Sequence, residues 1–385
     1  MPDVNRPFAP TALMLGNFVT GTAVLAPAGM LSELASDLGV SVRAAALLIT
    51  FGAVVLCVGS PLTAWLTSRI ERRALLGVTL AVLAVGNVVS AFAPDYVMLL
   101  IIRVITLAIA SLYTPQAAGA VGLITPIEKR GSTMAYVFLG WSLAVAAGLP
   151  LVTFIASRYG WRAAHGGIGA MAAVSFLLLV WRLPGGLFGA PVEMKTWIDL
   201  ARNRLIVLLL LVTMLQMSGQ FVIFTFMAPL LRQLTGAGPD AVGLVFAIYG
   251  IFGFIGLVIA SRVVDARGGY STSLLFTMLL LAGVSVWALG AGSLIAMTVA
   301  VMIWGLGFAS TNSMQQVRLV SAAPVLATAS IALNTSVLYV GQALGSAIGG
   351  MLYGRELLHA FGYVATGFIA LAVSVVLATR RMSAS

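Results

Sequence analysis

The stretch LTSRIERR (66–73) places three arginines between two long apolar runs of the chain. It belongs to a sequence of 385 residues, of which 61% are hydrophobic and only 8% are charged. A soluble protein of this length needs a charged surface, because one core cannot bury so many apolar side chains. The composition therefore predicts a protein whose surroundings are largely lipid.

Apolar segments of about 20 residues, long enough to cross a hydrocarbon layer of about 30 Å, follow one another along the chain. The segments show no alternating pattern typical of a barrel, and a backbone in lipid must satisfy its hydrogen bonds internally, so each is predicted to be a helix. We predict an all-α polytopic membrane protein. Its twelve spans, numbered in chain order, are 11–32, 44–67, 74–93, 97–121, 133–156, 164–183, 204–231, 241–264, 271–291, 293–317, 324–351 and 359–379.

The basic residues test this count and predict an orientation. With a cytoplasmic N-terminus, fifteen of the 21 Lys and Arg residues fall inside, five fall outside, and Arg103 lies within span 4. Such an excess is typical of cytoplasmic loops. It accounts for the net charge of +10 without a nucleic-acid partner. We expect both termini in the cytoplasm and no removable signal peptide.

A polar stretch, 184–203, interrupts the apolar pattern near the middle of the chain. It predicts two six-span bundles, 1–183 and 204–385, joined by a cytoplasmic linker. The linker carries an amphipathic pattern that is typical of an interfacial helix.

The two halves repeat features of each other. SRVVDARGG (261–269), after span 8, corresponds to AWLTSRIERR (64–73), after span 2, with an offset of 197 residues. At a similar offset, RQLTGAGPD (232–240) corresponds to ELASDLGVS (33–41). The pattern indicates a duplicated six-helix unit.

This arrangement resembles the major facilitator superfamily, whose signature for the loop is roughly G-x-L-a-D-R-x-G-R-R. The basic positions are kept by Arg69, Arg72 and Arg73. The glycines and the aspartate are replaced by Ala64, Ser68 and Glu71, whereas the second loop matches at Asp265 and Gly268. The resemblance implies that Arg69, Arg72, Arg73 and Asp265 take part in gating. The alternative is that the arginines only orient the helices, and both roles can hold.

The segment GWSLAVAAGLP (140–150) in span 5 resembles the glycine-proline signature of drug/proton antiporters. Gly148 allows a neighbouring backbone to approach and Pro150 removes a helix hydrogen bond, so we expect a pliable gating point. YTPQAAGAVGLITP (113–126) and NTSVLYVGQALGSAIGG (334–350) are similar to arabinose-efflux-type permeases, which carry sugars or drugs. The resemblance implies alternating access in a bacterial inner membrane.

Polar side chains inside apolar spans indicate a substrate site, because lipid disfavours them. In the superfamily, spans 1, 4, 7 and 10 line a central cavity, where most of these residues fall. Interhelical hydrogen bonding is the alternative for each. The candidate substrate-binding residues are Asn17, Thr20, Arg103, Tyr113, Gln216, Gln220, Phe224, Phe308, Asn312, Gln315, Gln316, Asn334, Tyr339 and Gln342.

All eleven acidic residues fall at helix ends or in loops, although proton-coupled transporters usually carry a buried carboxylate. The nearest candidate is Glu33, at the outer end of span 1. Arg103 enters span 4 from the same side, so we expect the two to share an outer pocket and to couple protons to transport. The alternative is that Glu33 is a solvated residue.

A cavity of amides, hydroxyls and aromatics favours export of a neutral or weakly charged molecule, such as a sugar, nucleoside or drug-like compound, in exchange for protons. A facilitator or importer of a small polar metabolite is the alternative. A receptor would need a larger soluble domain than these loops provide. The single cysteine, Cys57, excludes an internal disulfide, and His165 and His359 are not spaced as metal ligands. We expect a monomeric transporter in the lipid bilayer, not an enzyme, with no cofactor or metal.

Overall fold

The computed structural model describes residues 8–67, 69–126, 130–188, 200, 202–323 and 327–380. Regular structure in these residues is helical, and they contain no strand. The interfacial helix predicted for the linker falls mainly on residues 189–199 and 201, which lie outside the described part. Residues 184–188 are described and are not helical.

The described helices of the first half correspond to spans 1 to 6. A π-helical turn, Ala144–Gly148, separates the seventh and the eighth of these helices. The helices are α1 (Ala9–Gly29), α2 (Leu31–Asp37), α3 (Val42–Leu66), α4 (Arg72–Ala91), α5 (Tyr96–Ala110), α6 (Tyr113–Ile124), α7 (Arg130–Leu143) and α8 (Leu149–Arg182).

The described helices of the second half correspond to spans 7 to 12. They are α9 (Arg204–Phe224), α10 (Met227–Thr235), α11 (Pro239–Leu289), α12 (Leu294–Ala322), α13 (Ala327–Gly354) and α14 (Ala360–Ala378). The short helices α2 and α10 follow the first span of each half, and α5 and α6 together build span 4.

Two of the long helices continue from one span into the next. The backbone leaves the helical region at Gly160 in α8 (φ 83°) and at Gly268 in α11 (φ 75°), a conformation that glycine adopts without a steric penalty. Eleven described helical stretches are long and apolar enough to cross a membrane, and the 47-residue stretch Tyr136–Arg182 is divided at Gly160. The prediction of twelve membrane spans is therefore confirmed.

Spans 1 and 7 lie at the centre of the helix packing. In the apolar windows of α1 and α9, 89% and 72% of the residues are buried, more than in any other described span. We call the side of the molecule with α2 and α10 the Glu33 end, and the opposite side the Arg72 end. Under the positive-inside rule, the Arg72 end is the predicted cytoplasmic side.

The two halves of the chain contact each other along two pairs of helices. α3 packs on α13, and α11 packs on the π turn and α8. Among the described glycines, Gly250 makes the tightest contact between the halves, because an added methyl group there would lie 2.2 Å from the backbone nitrogen of Ala146. Among the described residues, the ion pairs that join the halves are Glu33–Arg232 and Arg158–Asp240, and both lie at the Glu33 end.

Candidate functional site

The arginine loop at the Arg72 end packs against the end of span 6. The backbone N–H of Arg72 donates to the Leu187 carbonyl at 2.8 Å, and Arg73 Nη2 donates to the Val180 carbonyl at 2.5 Å. The Arg72 side chain is only 7% exposed, yet its Nε and Nη1 atoms have no partner among the described residues. Arg73 is therefore anchored in this state, whereas the charge of Arg72 is not neutralised by a described group.

The structure adds little on the other predicted members of the gating loops. Arg69 is exposed. The side chain of Asp265 lies outside the described part of the chain. The gating role of this loop therefore stays a prediction.

Span 5 changes its helical geometry at the glycine-proline segment. The π turn ends at Gly148, and Pro150 has no N–H to donate to the Ala146 carbonyl one turn earlier. A methyl group on Gly148 would lie 2.2 Å from Thr22 Oγ1 of span 1, and one on Gly243 of span 8 would lie 3.9 Å from the Pro150 carbonyl. The segment therefore lies where span 5 touches both span 1 and the second half.

Arg103 is buried in the first half and hydrogen bonds to backbone. Its Nη1 and Nη2 atoms donate to the Ala23 and Val24 carbonyls of span 1, at 3.1 and 2.7 Å, and its Nε donates to the Leu48 carbonyl of span 2, at 2.8 Å. Pro27 cannot donate to the Ala23 carbonyl, so Arg103 supplies the hydrogen bond that proline removes. Arg103 is thus a clamp among spans 1, 2 and 4.

The prediction that Glu33 and Arg103 share a pocket is wrong. Glu33 Oε1 accepts from Arg232 Nη2 of α10 at 2.7 Å, and it lines an open cleft at the Glu33 end. Arg103 lines a different, internal cavity. α2 continues past the end of span 1, which carries Glu33 away from the interior, so neither residue has the neighbour that sequence reasoning gave it.

Asn17 forms a polar junction in the first half. Its Nδ2 donates to the Val137 carbonyl of span 5 at 3.1 Å, and its Oδ1 accepts from Thr114 Oγ1 of span 4 at 2.8 Å. The Trp141 indole N–H donates to the same Thr114 hydroxyl at 3.2 Å. The structure therefore adds Thr114 and Trp141, both half-buried, to the candidate set.

Two further candidates of the first half are fully enclosed. Tyr113 is 0% exposed, and its hydroxyl donates to the Leu13 carbonyl at 3.4 Å. Thr20 is 2% exposed, and its hydroxyl has no partner among the described residues. Tyr113 packs between spans 1 and 4, and a methyl group on Gly16 would overlap its ring.

In the second half, Gln216 and Gln315 face span 9 and not a common central cavity. Gln216 Nε2 donates to Thr277 Oγ1 at 2.9 Å, and Gln315 Nε2 donates to Ser273 Oγ at 3.1 Å. Both side chains are 0% exposed. The expectation that they line one cavity with Asn312 and Gln316 is therefore wrong, because packing turns them towards span 9.

A second amide group joins spans 7, 10 and 11. Asn334 Oδ1 accepts from Thr213 Oγ1 at 2.7 Å, and Asn334 Nδ2 donates to Asn312 Oδ1 at 2.9 Å. Asn312 is half-buried, as are Phe308 and Gln316 one turn away on either side. These three residues of α12 form a partly accessible face, which we call the α12 face.

Gln220 lies against an aromatic cluster that reaches the α12 face. Its Oε1 accepts from the Trp304 indole N–H at 3.1 Å and from the Tyr249 hydroxyl at 3.3 Å. The Tyr249 ring centroid lies 5.0 Å from that of Phe308 and 5.5 Å from that of Phe224. Tyr249 and Trp304 were not predicted, because neither has a polar residue one helical turn away in its own span.

Several buried amide atoms of the second half have no hydrogen-bond partner among the described residues. Because a buried polar group without a partner is costly, each is a candidate contact for a bound molecule or water. Tyr339 and Gln342 of span 11 are also buried, at 7% and 2% exposure. The unpartnered amide atoms are Gln216 Oε1, Gln220 Nε2, Gln315 Oε1 and Gln342 Nε2.

The residues that the structure describes contain no group of three His, Cys, Asp or Glu side chains that could hold a metal ion. The buried polar groups of the described spans are instead amides, hydroxyls, indoles, arginines and the imidazole of His165. Groups of this kind can form hydrogen bonds with a small molecule.

Comparison with known proteins identifies relatives over nearly the whole chain. The inner membrane transport protein YdhP of Escherichia coli (strain K12) is 30% identical over 356 residues, covering 91% of this chain and 90% of the relative. A probable sugar efflux transporter of Mannheimia succiniciproducens is 27% identical over 362 residues, covering 93% and 90%.

Solved structures share the fold at low sequence identity. A bacterial homolog of the human lysosomal transporter Spinster, in an inward-facing and unoccupied conformation, superposes with a TM-score of 0.75 at 14% identity, covering 98% of this chain and 97% of that one. A D-xylose-proton symporter gives a TM-score of 0.70 at 17% identity, covering 95% and 97%.

The sequence model of the Major Facilitator Superfamily matches residues 13–346. With twelve spans in two repeated halves and relatives that are inner membrane transporters, this chain belongs to the major facilitator superfamily, a family of membrane transporters of small molecules.

Proposed function

We propose that this protein exports a small neutral or weakly charged molecule, such as a sugar, a nucleoside or a drug-like compound, in exchange for protons. It acts as a monomer in a bacterial inner membrane, with both termini in the cytoplasm. Relatives named probable sugar efflux transporters and inner membrane transport protein support the sugar class, the direction and the location.

The observation that carries this proposal is the set of unpartnered amide atoms in the second half. Gln220 has a free Nε2 donor beside Trp304 and Tyr249, and Phe308 extends the aromatic cluster to the α12 face. Amides both donate to and accept from hydroxyl groups, and aromatic faces pack against the apolar side of a ring. This combination suits a sugar or nucleoside.

Charge supports the same class of substrate. In the described residues, the placed carboxylates lie in loops, in short helices or at helix ends, so none is available inside a span to neutralise a strongly cationic drug. Two buried arginines are already engaged, because Arg103 donates to three backbone carbonyls and Arg318 donates to the Ser273 and Thr379 hydroxyls. Arg72, which keeps unpartnered atoms, lies at the Arg72 end, outside the amide groups of the second half. A neutral molecule therefore fits best.

Alternating access requires the two halves to separate at one end of the molecule. The proposed moving bodies are residues 1–183 and 204–385, joined by the linker 184–203. In this state, Glu33–Arg232 and Arg158–Asp240 bridge the Glu33 end. Both pairs must break when that end opens, so we assign them to the closed gate.

Transport in liposomes tests the proposal. A thermal-shift screen of sugars, nucleosides and uncharged antibiotics would identify ligands, and radiolabelled flux of each ligand would follow, with and without a pH gradient. Export in exchange for protons predicts that a proton gradient of the appropriate sign drives accumulation of the substrate in the liposomes. Flux that only equilibrates the substrate and ignores the gradient would contradict proton exchange.

The absence of a placed carboxylate from the interior of the described spans favours a second candidate, a facilitator of a small polar metabolite. It predicts saturable flux in both directions, with no movement of protons. The same experiment separates the two candidates.

Adjacent glutamines on α12 test the substrate site. Gln316→Leu should weaken ligand binding and leave thermal stability unchanged, because Gln316 is half-buried on the α12 face. Gln315→Leu is the comparison for stability, since its hydrogen bond to Ser273 is internal and its loss should lower stability by about 1 kcal/mol. Calorimetric binding and thermal unfolding of both variants measure this, and unchanged binding in Gln316→Leu would remove the α12 face from the site.

A further inference from the structure

His165 is a buried titratable side chain in span 6 that the proposed substrate site does not use. It is 4% exposed, and its Nδ1 lies 3.1 Å from Asn87 Oδ1 of span 3. Asn87 Nδ2 donates to the Leu83 carbonyl at 2.8 Å, so the amide oxygen is the atom that faces the imidazole. The Nδ1 atom therefore carries the hydrogen in the neutral ring, which leaves Nε2 free to accept a proton.

A small internal cavity adjoins this imidazole. Its volume of about 10 Å³ is enough for one water molecule, and its polar lining consists of Asn87, Ser90, Arg103, Thr106 and His165. A water molecule there would have several hydrogen-bonding groups within the cavity wall. His165 and Arg103, the clamp of spans 1, 2 and 4, therefore both line this cavity.

Trp161 contacts both His165 and the open cleft at the Glu33 end. The Trp161 ring contacts His165 edge to face, with centroids 5.9 Å apart, and its indole N–H donates to Asp37 Oδ2 at 2.7 Å. Trp161, Asp37 and Arg162 line the cleft. The path from bulk water to the imidazole is therefore short.

We propose that His165 is the residue that binds the coupling proton, at Nε2, and that it acts through the Arg103 clamp. This inference rests on the proton exchange in the proposed function. A proton taken from water at the Glu33 end forms the N–H bond, and the same bond breaks when the proton is released, so no other reactant is needed.

The charged groups around His165 explain how its protonation acts on the fold. Arg103, from α5, faces the cavity, and Asp37 and Arg162 lie beyond Trp161, whereas α4 contributes the neutral side chains Asn87 and Ser90. An imidazolium would add a second cation beside Arg103, and like charges repel strongly where water is scarce. Protonation therefore opposes the hold of Arg103 on span 1.

Span 1 is the element that this repulsion releases. Arg103 holds the Ala23 and Val24 carbonyls just before Pro27, where the helix lacks one of its own hydrogen bonds. Binding energies between two sites are reciprocal, so any substrate that moves span 1 also changes the proton affinity of His165. A proton and a substrate can then be exchanged without a carboxylate in a span.

The chain supplies its own control, because it has only two histidines. His359 is exposed, next to the start of α14. In liposomes, His165→Gln should lose substrate-driven proton movement but still exchange labelled for unlabelled substrate, whereas His359→Gln should retain both. Proton movement at the wild-type ratio in His165→Gln would overturn the inference and leave the proposed function standing. Wild-type protein that transports substrate without protons would overturn both.

A direct titration keeps the test valid if His165→Gln does not fold. In His359→Gln, His165 is the one remaining histidine, so its ring nitrogens give a single set of signals in nuclear magnetic resonance. Between about pH 9 and about pH 5, the balance of neutral and protonated ring signals should differ with and without substrate, because a substrate that moves span 1 changes the repulsion from Arg103. A ring that keeps one protonation state over that interval, with and without substrate, would also overturn the inference.

Discussion

The two halves of this transporter use their buried polar groups differently. In the first half, Arg103 donates to three carbonyls and Asn17 bonds to two spans. In the second half, four glutamines each keep an amide atom without a described partner. Buried groups that are satisfied within the fold hold helices in place, whereas unpartnered groups are available to a ligand. The difference is confined to the amides, because some hydroxyl and guanidinium atoms of the first half also lack a described partner (Thr20, Thr50, Thr153 and Arg72). The buried amides of the first half join helices, and we propose that the glutamines of the second half recognise the substrate.

Equivalent positions of the repeat carry different residues where the halves meet. Glu33 and Arg232 occupy matching places after spans 1 and 7, and they pair across the interface. Asp37 holds α2 to span 6 through Trp161 and Arg162, but the matching residue, Gly236, only ends α10 with a φ of 70°. When a duplicated unit packs against its copy, equivalent residues meet at the interface. Two residues of the same charge would repel each other there, so one copy needs the opposite charge.

The largest effect is expected at the first-half clamp. Arg103→Leu should abolish transport and lower the free energy of unfolding by about 3 kcal/mol, because three carbonyl contacts of a buried cation are lost. Arg355→Leu, on an exposed residue outside the gating loops, is the control. Flux and thermal unfolding measure both, and full activity in Arg103→Leu would contradict the division between the halves.

The interface between the halves gives the next largest effect. Gly250→Ala should destabilise the state closed at the Glu33 end by about 1 to 3 kcal/mol, because the new methyl group would overlap the Ala146 backbone. Gly243→Ala, seven residues earlier in span 8, meets atoms only at 3.9 Å and should be tolerated. Distances between spin labels at the Glu33 end report the change, and equal distances in the two variants would show that this contact does not set the state.

Arg72 and Arg73, at the start of α4, compare an unpartnered arginine with a hydrogen-bonded one within the first half. Arg73→Gln should lower stability by about 1 kcal/mol, because it removes a hydrogen bond to the Val180 carbonyl. Arg72→Gln should slow transport without that loss of stability, since Arg72 Nε and Nη1 have no described partner in this state. Membrane insertion should be unchanged in both, and transport per inserted molecule is the measurement. If Arg72→Gln transports at the wild-type rate, the loop only orients the helices.

The smallest effect is expected in the pH dependence of thermal stability, through the contacts that hold α2. A hydrogen bond from Trp161, together with Arg162, lowers the pKa of Asp37 below its ordinary value. Because the folded pKa lies below the unfolded one, the stabilisation is complete above the unfolded pKa and is lost as the pH falls through the folded pKa. Asp37→Ala should remove this acid-dependent part of the thermal midpoint. An unchanged pH profile in that variant would show that Asp37 does not hold α2.

Sequence patterns predicted the local features correctly. The twelve spans follow from segment length and hydropathy, and the π turn lies where Gly148 and Pro150 predicted a weak point in span 5. These properties depend on the thickness of a bilayer and on hydrogen bonds within one helix, so neighbouring residues are enough to reveal them. The repeat also carried an unused signal, the opposite charges at matching positions 33 and 232.

Only the tertiary structure decided which polar groups meet. Gln315 and Gln316 are adjacent in sequence, yet one bonds to span 9 and the other lies on the α12 face. Glu33 pairs with a residue 199 positions away, and Arg103 bonds to carbonyls 55 to 80 positions away. A helical pattern fixes the spacing of side chains on one surface, but the rotation of that surface is fixed by packing against distant helices. The sequence by itself therefore determined the membrane architecture, and the packing of the twelve spans determined the site.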